Sequence, residues 1–188
     1  MRHAALSLIT LGTLLLAGCG VQAGSAVGRG NTAPKVAGLT DEGSLVFDKE
    51  VVYKAVDVLG VGPVYSAKLK ASGIDSVKQL VLAGTTPAAR RRLAQATGIS
   101  AKLLLTWINH ADLMRVTGCG PEYSRLLERA GVDTVMELAR RNSIQLATRL
   151  RAANDLGGGR RCVHRLPGVT TTTRWVDNAN AFARLVSY

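Results

Sequence analysis

Two short stretches of this sequence combine glycine and proline at a spacing that could bind phosphate. Val58–Pro63 and Val116–Pro121 share the order apolar, any residue, Gly, apolar, Gly, Pro. The glycines permit the positive φ of a tight hairpin, and the proline begins a helix whose first amide groups have no partner within the helix. Because backbone amides gathered at such a turn bind anions, the pattern predicts a phosphate site at each hairpin.

The two hairpins lie in an internal repeat. Ten of 21 positions are identical at an offset of 58, namely Gly60, Gly62, Pro63, Tyr65, Ser66, Leu69, Gly73, Asp75, Val77 and Leu80, which recur as Gly118, Gly120, Pro121, Tyr123, Ser124, Leu127, Gly131, Asp133, Val135 and Leu138. Farther on, Trp107–Ala111 and Trp175–Ala179 match at an offset of 68, which implies about ten inserted residues near 154–159. Self-similarity of this kind indicates one supersecondary unit used twice.

The segments 60–80 and 118–138 resemble the helix-hairpin-helix motif of DNA-repair and recombination proteins, in which hairpin amides hold a DNA phosphate without reading the base sequence. The longer stretch from Val52 to Tyr188 more closely resembles a bacterial family of unknown function built from paired helix-hairpin-helix units. This second resemblance implies a fold and no particular activity.

The resemblance implies a set of residues that contact phosphate. In the hairpins these are Gly60, Val61, Gly62, Gly118, Cys119 and Gly120, and the nearby cations that could add charge are Lys68, Lys70, Arg90, Arg91, Arg92, Arg125 and Arg129. Two features disfavour DNA binding. Glu122 follows the second hairpin, where a carboxylate would repel a phosphate, and Tyr65 and Tyr123 are typical of packing residues.

Helix signals predict an all-α domain in which each repeat contributes four short helices. In the first repeat we expect helices at 63–72, from a cap at Asp75 or Ser76 through 82, from Thr86-Pro87 to Gly98, and after a cap at Ser100. Leu104, Trp107, Ile108 and Ala111 then form an apolar stripe, so we expect the tryptophans in the core. The second repeat follows the same plan and ends in a closing helix at 170–188.

The amino terminus has the layout of a secretory signal peptide, with Arg2, an apolar stretch at 4–16, and Ala17-Gly18-Cys19. The apolar stretch is shorter than the roughly 20 residues that a membrane-spanning helix needs. Leu16–Cys19 resembles the bacterial lipoprotein box, and that resemblance implies removal of residues 1–18 and lipidation of Cys19. Acyl chains on Cys19 would anchor the protein to a membrane.

The predicted organisation has four parts: a lipoprotein signal peptide at 1–18, a lipidated tether at 19–44, a first repeat at 45–112 and a second at 113–188. The tether is rich in Gly, Ala and Ser and would span roughly 25–30 Å. We expect a location in the bacterial cell envelope, on the periplasmic or cell-surface side. Gly20, in place of an aspartate after the cysteine, favours the outer membrane.

The charge of the chain favours an anionic partner. The 24 basic and 13 acidic residues give a net charge of +11, or +10 after removal of Arg2 with the signal peptide. From residue 140 onward nine arginines, Arg140, Arg141, Arg149, Arg151, Arg160, Arg161, Arg165, Arg174 and Arg184, oppose only Asp155 and Asp177. Such a field attracts polyanions, although it also serves solubility.

Residues for catalysis or metal binding are sparse. His110 and His164, the histidines outside the signal peptide, have no triad or metal-like spacing. Cys119 and Cys162 would lie in an oxidising compartment, where they either form a disulfide or leave Cys119 as a small buried hydrophobe. We therefore predict no enzyme, no cofactor, no metal and no small-molecule substrate.

Two functions remain. In the first, the chain is a membrane-anchored module that binds the backbone of duplex DNA, or another polyanion, independently of sequence. In the second, it is a structural or protein-binding envelope lipoprotein in which the hairpins only pack the repeats together. A continuous basic stripe joining Gly60–Gly62 with Arg90–Arg92 would favour DNA, and scattered charges would favour the second function.

Overall fold

The computed structural model describes residues 53–156 and 159–188, which belong to one compact unit. The predicted signal peptide, the lipidation site at Cys19, the tether and the beginning of the first repeat lie outside the described residues. Within the described part, the chain forms α-helices and no strand, so the prediction of an all-α domain is confirmed.

A short 3₁₀-helix, Ala55–Asp57, precedes eight α-helices: α1 (Pro63–Ala71), α2 (Val77–Ala83), α3 (Pro87–Thr97), α4 (Ala101–Leu113), α5 (Pro121–Arg129), α6 (Val135–Ala139), α7 (Ser143–Ala153) and α8 (Val169–Asn180). Across residues 53–156 and 159–188, none of these helices has both the length and the apolar character needed to cross a bilayer. Four helices follow each hairpin, in the same order.

Local signals in the sequence start these helices. Pro63, Pro87 and Pro121 each occupy the first turn, where the missing proline amide would have had no helical partner. Other starts use a side-chain cap: the Ser76 hydroxyl accepts from the Gln79 amide at 3.2 Å, and the Gln79 side chain bonds back to form a capping box. These predicted boundaries therefore agree with the structure to within a residue or two.

The helices enclose two apolar cores, one in each repeat. The first includes Val61, Leu69, Leu80, Leu104, Trp107 and Ile108, and the second includes Cys119, Leu126, Leu127, Leu138, Leu150 and Trp175. The expected α4 stripe of Leu104, Trp107, Ile108 and Ala111 is fully buried, which confirms the tryptophan placement. Because the two cores use equivalent positions, the internal repeat of the sequence is also visible in the packing.

Helix α4 lies at the joint between the repeats, since it contacts α2 and α3 of the first repeat and α5 of the second. Its last five residues, Asn109–Leu113, are all buried, including their polar members. His110 Nε2 lies 2.8 Å from the Glu128 carboxylate on α5. The equivalent turn of α8 instead exposes Asp177.

The prediction of a closing helix at 170–188 was wrong at its end. Helix α8 stops at Asn180, and the following residues leave the helix and return to the first repeat. Phe182 packs in the second core, whereas Leu185 and Val186 pack in the first. A helix continued to residue 188 could not reach both cores, so burial of these apolar side chains overrides the helical pattern.

Polar contacts fix this C-terminal segment, residues 182–188, against the body of the domain. The Ser187 amide donates to the Thr85 carbonyl at 2.9 Å, and the Tyr188 hydroxyl donates to Asn109 Oδ1 at 3.2 Å. Two buried arginines donate to its carbonyl groups, Arg90 to Ser187 at 2.8 Å and Arg115 to Ala183 at 3.0 Å. The segment therefore ties the second repeat to the first.

Candidate phosphate-binding site

The first hairpin turns at Gly60, whose φ is +96°. The Val61 side chain enters the first core, and its amide donates to the Val58 carbonyl at 2.9 Å. That amide is therefore already satisfied and does not face outward. The expectation that Val61 itself contacts phosphate is corrected on this point, because the hydrogen bond that closes the turn uses its only backbone donor.

The amides of Gly62, Val64 and Tyr65, at the start of α1, have no partner among the described residues. Gly62, Val64 and Tyr65 are exposed, and a Cβ built on Gly62 would meet nothing within 4 Å. Sequence reasoning named Gly62 but missed Val64 and Tyr65. Pro63 was the available signal, because a proline at the first helical position leaves the next two amides as the unpaired donors.

The Trp107 side chain of α4 packs against the first hairpin. A Cβ added at Gly60 would lie 3.0 Å from Trp107 Nε1, and the Tyr65 ring packs edge-on against the same indole with 5.0 Å between centroids. Tyr65 is thus a packing residue, as the sequence suggested. The indole therefore lies against both the turn at Gly60 and the first turn of α1.

The second hairpin has the same backbone turn, but Tyr53 lies against it. Gly118 has a φ of +79°, and the Cys119 amide donates to the Val116 carbonyl at 2.9 Å, as Val61 does in the first repeat. A Cβ built on Gly120, however, would lie 3.2 Å from the Tyr53 hydroxyl. Tyr53 also packs on the first core. Of the three residues expected to contact phosphate here, Cys119 has its amide bonded and Gly120 lies against Tyr53, whereas Gly118 is exposed.

A carboxylate adds to the difference between the hairpins. Glu122 is exposed at the second position of α5, where the first repeat has Val64 on α1. Near a helix N-terminus the carboxylate interacts favourably with the helix dipole and competes with any phosphate for the same amides. The first hairpin alone therefore combines free amides with an approach that carries no carboxylate at this position.

The cations named from the sequence differ in availability. Lys68, Lys70, Arg91, Arg92 and Arg125 are exposed. The Lys70 ammonium pairs with Asp75 at 3.8 Å, in an exposed pair that contributes little to stability. Arg129 Nε donates to the Ala153 carbonyl at 3.0 Å, so this side chain fixes the end of α7.

The expectation that the Arg90 side chain adds charge to a phosphate site is corrected by its position. Arg90 is only 5% exposed, and its guanidinium donates to the Gly84 carbonyl at 2.9 Å and to Ser187. The side chain is fully used in holding the C-terminal segment, so the three consecutive arginines do not make one basic surface. The continuous stripe from Gly60–Gly62 through Arg90–Arg92, which would have favoured DNA, is interrupted at its first arginine.

One protein-family model, described as a domain of unknown function (DUF4332), matches residues 59–182. The chain belongs to this family. The match covers both hairpins and all eight α-helices of the DUF4332 domain, and it leaves out most of the C-terminal segment. No curated protein and no solved structure matches the chain.

Other polar groups of the DUF4332 domain serve packing. In the described part of the chain, no three His, Cys, Asp or Glu side chains gather in a group that could hold a metal ion. His110 is buried beside Glu128, and its Nδ1 has no partner among residues 53–156 and 159–188. Cys119 and Cys162 are both free thiols, and burial raises the pKa of Cys119 well above its usual range.

Proposed function

We propose that this chain is a non-enzymatic, lipid-anchored binding module of the bacterial cell envelope, and that its first hairpin binds a phosphate of the duplex DNA backbone. The observation that carries the proposal is the set of amides at Gly62, Val64 and Tyr65, which have no partner among the described residues and belong to exposed residues. Amides at a helix N-terminus, together with the positive end of the helix dipole, are a recurrent phosphate site in proteins.

Charge supports a polyanion as the ligand. The net charge of +11 raises the local concentration of any nucleic acid near the protein. Lys68 on α1, together with Arg91 and Arg92 on α3, is exposed in the same repeat as the open hairpin. Contacts of amides and cations to phosphate position a protein on DNA without reading bases, so binding through this site is independent of sequence.

The experiment is a salt titration of binding to a short labelled duplex, with Val64→Glu as the test variant. This change places at the first hairpin the carboxylate that the second hairpin has at Glu122. Val64 is 69% exposed, so the fold should accept the substitution. We expect binding to weaken about tenfold or more, because the carboxylate repels phosphate at the same amides.

Ile144→Glu is the matched control. Ile144 is also the second residue of its helix and is 62% exposed, but its amide already bonds Asn142 Oδ1 at 3.1 Å. The control should bind as the original chain does, with affinity that falls steeply as salt rises. Equal binding by both variants would contradict phosphate binding at the first hairpin, and circular dichroism must show that each remains helical.

A second candidate is a structural or protein-interaction lipoprotein in which the hairpins serve packing. It is favoured by the contact of Tyr53 with the second hairpin and by the use of Arg90 in anchoring Ser187. These observations account for one hairpin and one arginine, and they leave the free amides of the first hairpin unused. Absence of DNA binding at low salt would favour this candidate.

A further inference from the structure

Helix α7 and the beginning of α8 present an exposed apolar surface in the second repeat. Ile144 is 62% exposed, Val169 46% and Leu166 37%. Ile144, Ala147, Thr148 and Arg151 form one stripe of α7, and this stripe lines an open groove together with Pro167, Gly168 and Val169. Aliphatic side chains left this exposed beside a groove are typical of a binding surface.

Arginines border the same surface. Arg151 lines the groove with Ile144, and Arg174 shares the adjoining face of α8 with Val169. We call Ile144, Arg151, Val169 and Arg174 the α7–α8 patch. The segment 143–180 contains six arginines and two aspartates, and all eight side chains are exposed.

We propose that the α7–α8 patch docks on the surface of a membrane that contains anionic phospholipids. A bilayer interface accepts both kinds of side chain in the patch, because aliphatic groups enter the boundary between head groups and acyl chains while arginines bind lipid phosphates. Charge complementarity selects anionic lipid over neutral lipid. The inference goes beyond DNA binding at the first hairpin and uses none of the residues of that site.

Nucleic acid fits this patch less well than lipid does. Binding of single strands relies on aromatic side chains that stack on bases, and none of the four patch residues is aromatic. Two aromatic side chains of the second repeat, Tyr123 and Trp175, pack on each other with 5.2 Å between centroids. Contact with duplex phosphates would use the arginines but leave Ile144 and Val169 in water.

The test is hydrogen–deuterium exchange of the full chain reconstituted in two kinds of nanodisc, one of phosphatidylcholine alone and one that also contains phosphatidylglycerol. A membrane anchor would act equally in both, so a difference between them reports the patch. We expect several-fold slower exchange over 144–151 and 164–174 in the anionic discs alone. Unchanged exchange in the first repeat would show that the effect is local.

Two pairs of substitutions test the two properties of the patch. Arg151→Glu with Arg174→Glu should abolish the protection, because reversing two arginines weakens anionic lipid binding by roughly tenfold or more. Ile144→Ser with Val169→Ser should also abolish the protection, although this pair leaves the charge of the patch unchanged. The matched control, Arg91→Glu with Arg92→Glu, makes the same change of net charge on exposed positions of α3 and should retain the protection.

Three results would overturn the proposal. The first is equal exchange in neutral and anionic discs. The second is protection of the same segments without lipid as protein concentration rises, which would assign the patch to self-association. The third is protection by duplex DNA and not by anionic lipid, which would assign it to nucleic acid. None of these depends on Val64→Glu, so failure of this proposal and failure of DNA binding are distinguishable.

Discussion

The Arg115 guanidinium donates to the Asp112 carboxylate at 2.7 Å in a site with almost no solvent exposure. The other Asp112 oxygen accepts the Val135 amide at the start of α6, at 3.0 Å. Arg115 also stacks on the Phe182 ring, 4.9 Å from its centroid. Burial lowers the pKa of Arg115, and the Asp112 carboxylate opposes this effect. One buried ion pair thus links α4, α6 and the C-terminal segment.

Asp112→Ala should reduce the free energy of unfolding by about 3–5 kcal/mol, because it leaves the buried Arg115 guanidinium without the carboxylate that neutralises its charge. Urea unfolding followed by circular dichroism measures the change. Asp177→Ala, which removes an exposed carboxylate, is the control and should shift stability by no more than about 0.5 kcal/mol. A loss below about 1 kcal/mol for Asp112→Ala would mean that water reaches Arg115.

Gly60→Ala should destabilise the domain more than Gly118→Ala, although the two glycines occupy equivalent turns. Both have positive φ, so each substitution carries strain of about 1–2 kcal/mol. Only at Gly60 does the added Cβ crowd the indole, at 3.0 Å from Trp107 Nε1 against 3.6 Å from Trp175 Nε1 at Gly118. Thermal unfolding of the two variants compares them directly, and equal losses would show that Trp107 moves aside freely.

Arg90→Met and Arg91→Met should separate stability from binding. The first leaves the Gly84 and Ser187 carbonyls without their donor and should cost about 1–3 kcal/mol of stability. The second changes an exposed side chain and should leave the urea midpoint unchanged. In the DNA titration, by contrast, Arg91→Met should have the larger effect: the affinity of this variant for DNA should depend less on salt concentration. Weaker DNA binding by a folded Arg90→Met protein would contradict the structural role of Arg90.

Iodoacetamide should modify Cys162 in the folded protein and leave Cys119 unmodified. The Cys119 thiol is buried, and its raised pKa keeps it protonated, whereas the thiolate is the reactive form. Cys162 is partly exposed. Peptide mapping by mass spectrometry reads out both sites, with urea-unfolded protein as the control in which both should react. Protection of both sites until a reductant is added would instead reveal a disulfide.

Local sequence signals predicted most of the fold. Pro63, Ser76 and Thr86 act on the amides of their own helix turns, so the boundaries they set could be read without knowing the rest of the structure. The apolar stripe of α4 was equally clear, because its four apolar residues, Leu104, Trp107, Ile108 and Ala111, recur at helical spacing. The free amides at Val64 and Tyr65 could also have been inferred from Pro63 alone.

Contacts distant in sequence account for the errors. Arg90 reads as one of three equivalent surface arginines, and only the return of Ser187 to α3 distinguishes it. Tyr53 precedes the second hairpin by more than sixty residues, so nothing near Gly120 in the sequence indicates that Tyr53 lies against this hairpin. The end of α8 was mispredicted for the same reason, since two cores compete for residues 182–186 and helical propensity is a weak preference by comparison.

The return of the C-terminal segment also constrains the order of events during synthesis. Leu185 and Val186 belong to the first core, whose other members precede Arg115. A ribosome that has completed α1 to α4 has therefore not yet supplied all the side chains that close this core. The first repeat cannot reach its final packing during translation of its own residues. The two cores become complete only after residues 182–186 have emerged from the ribosome.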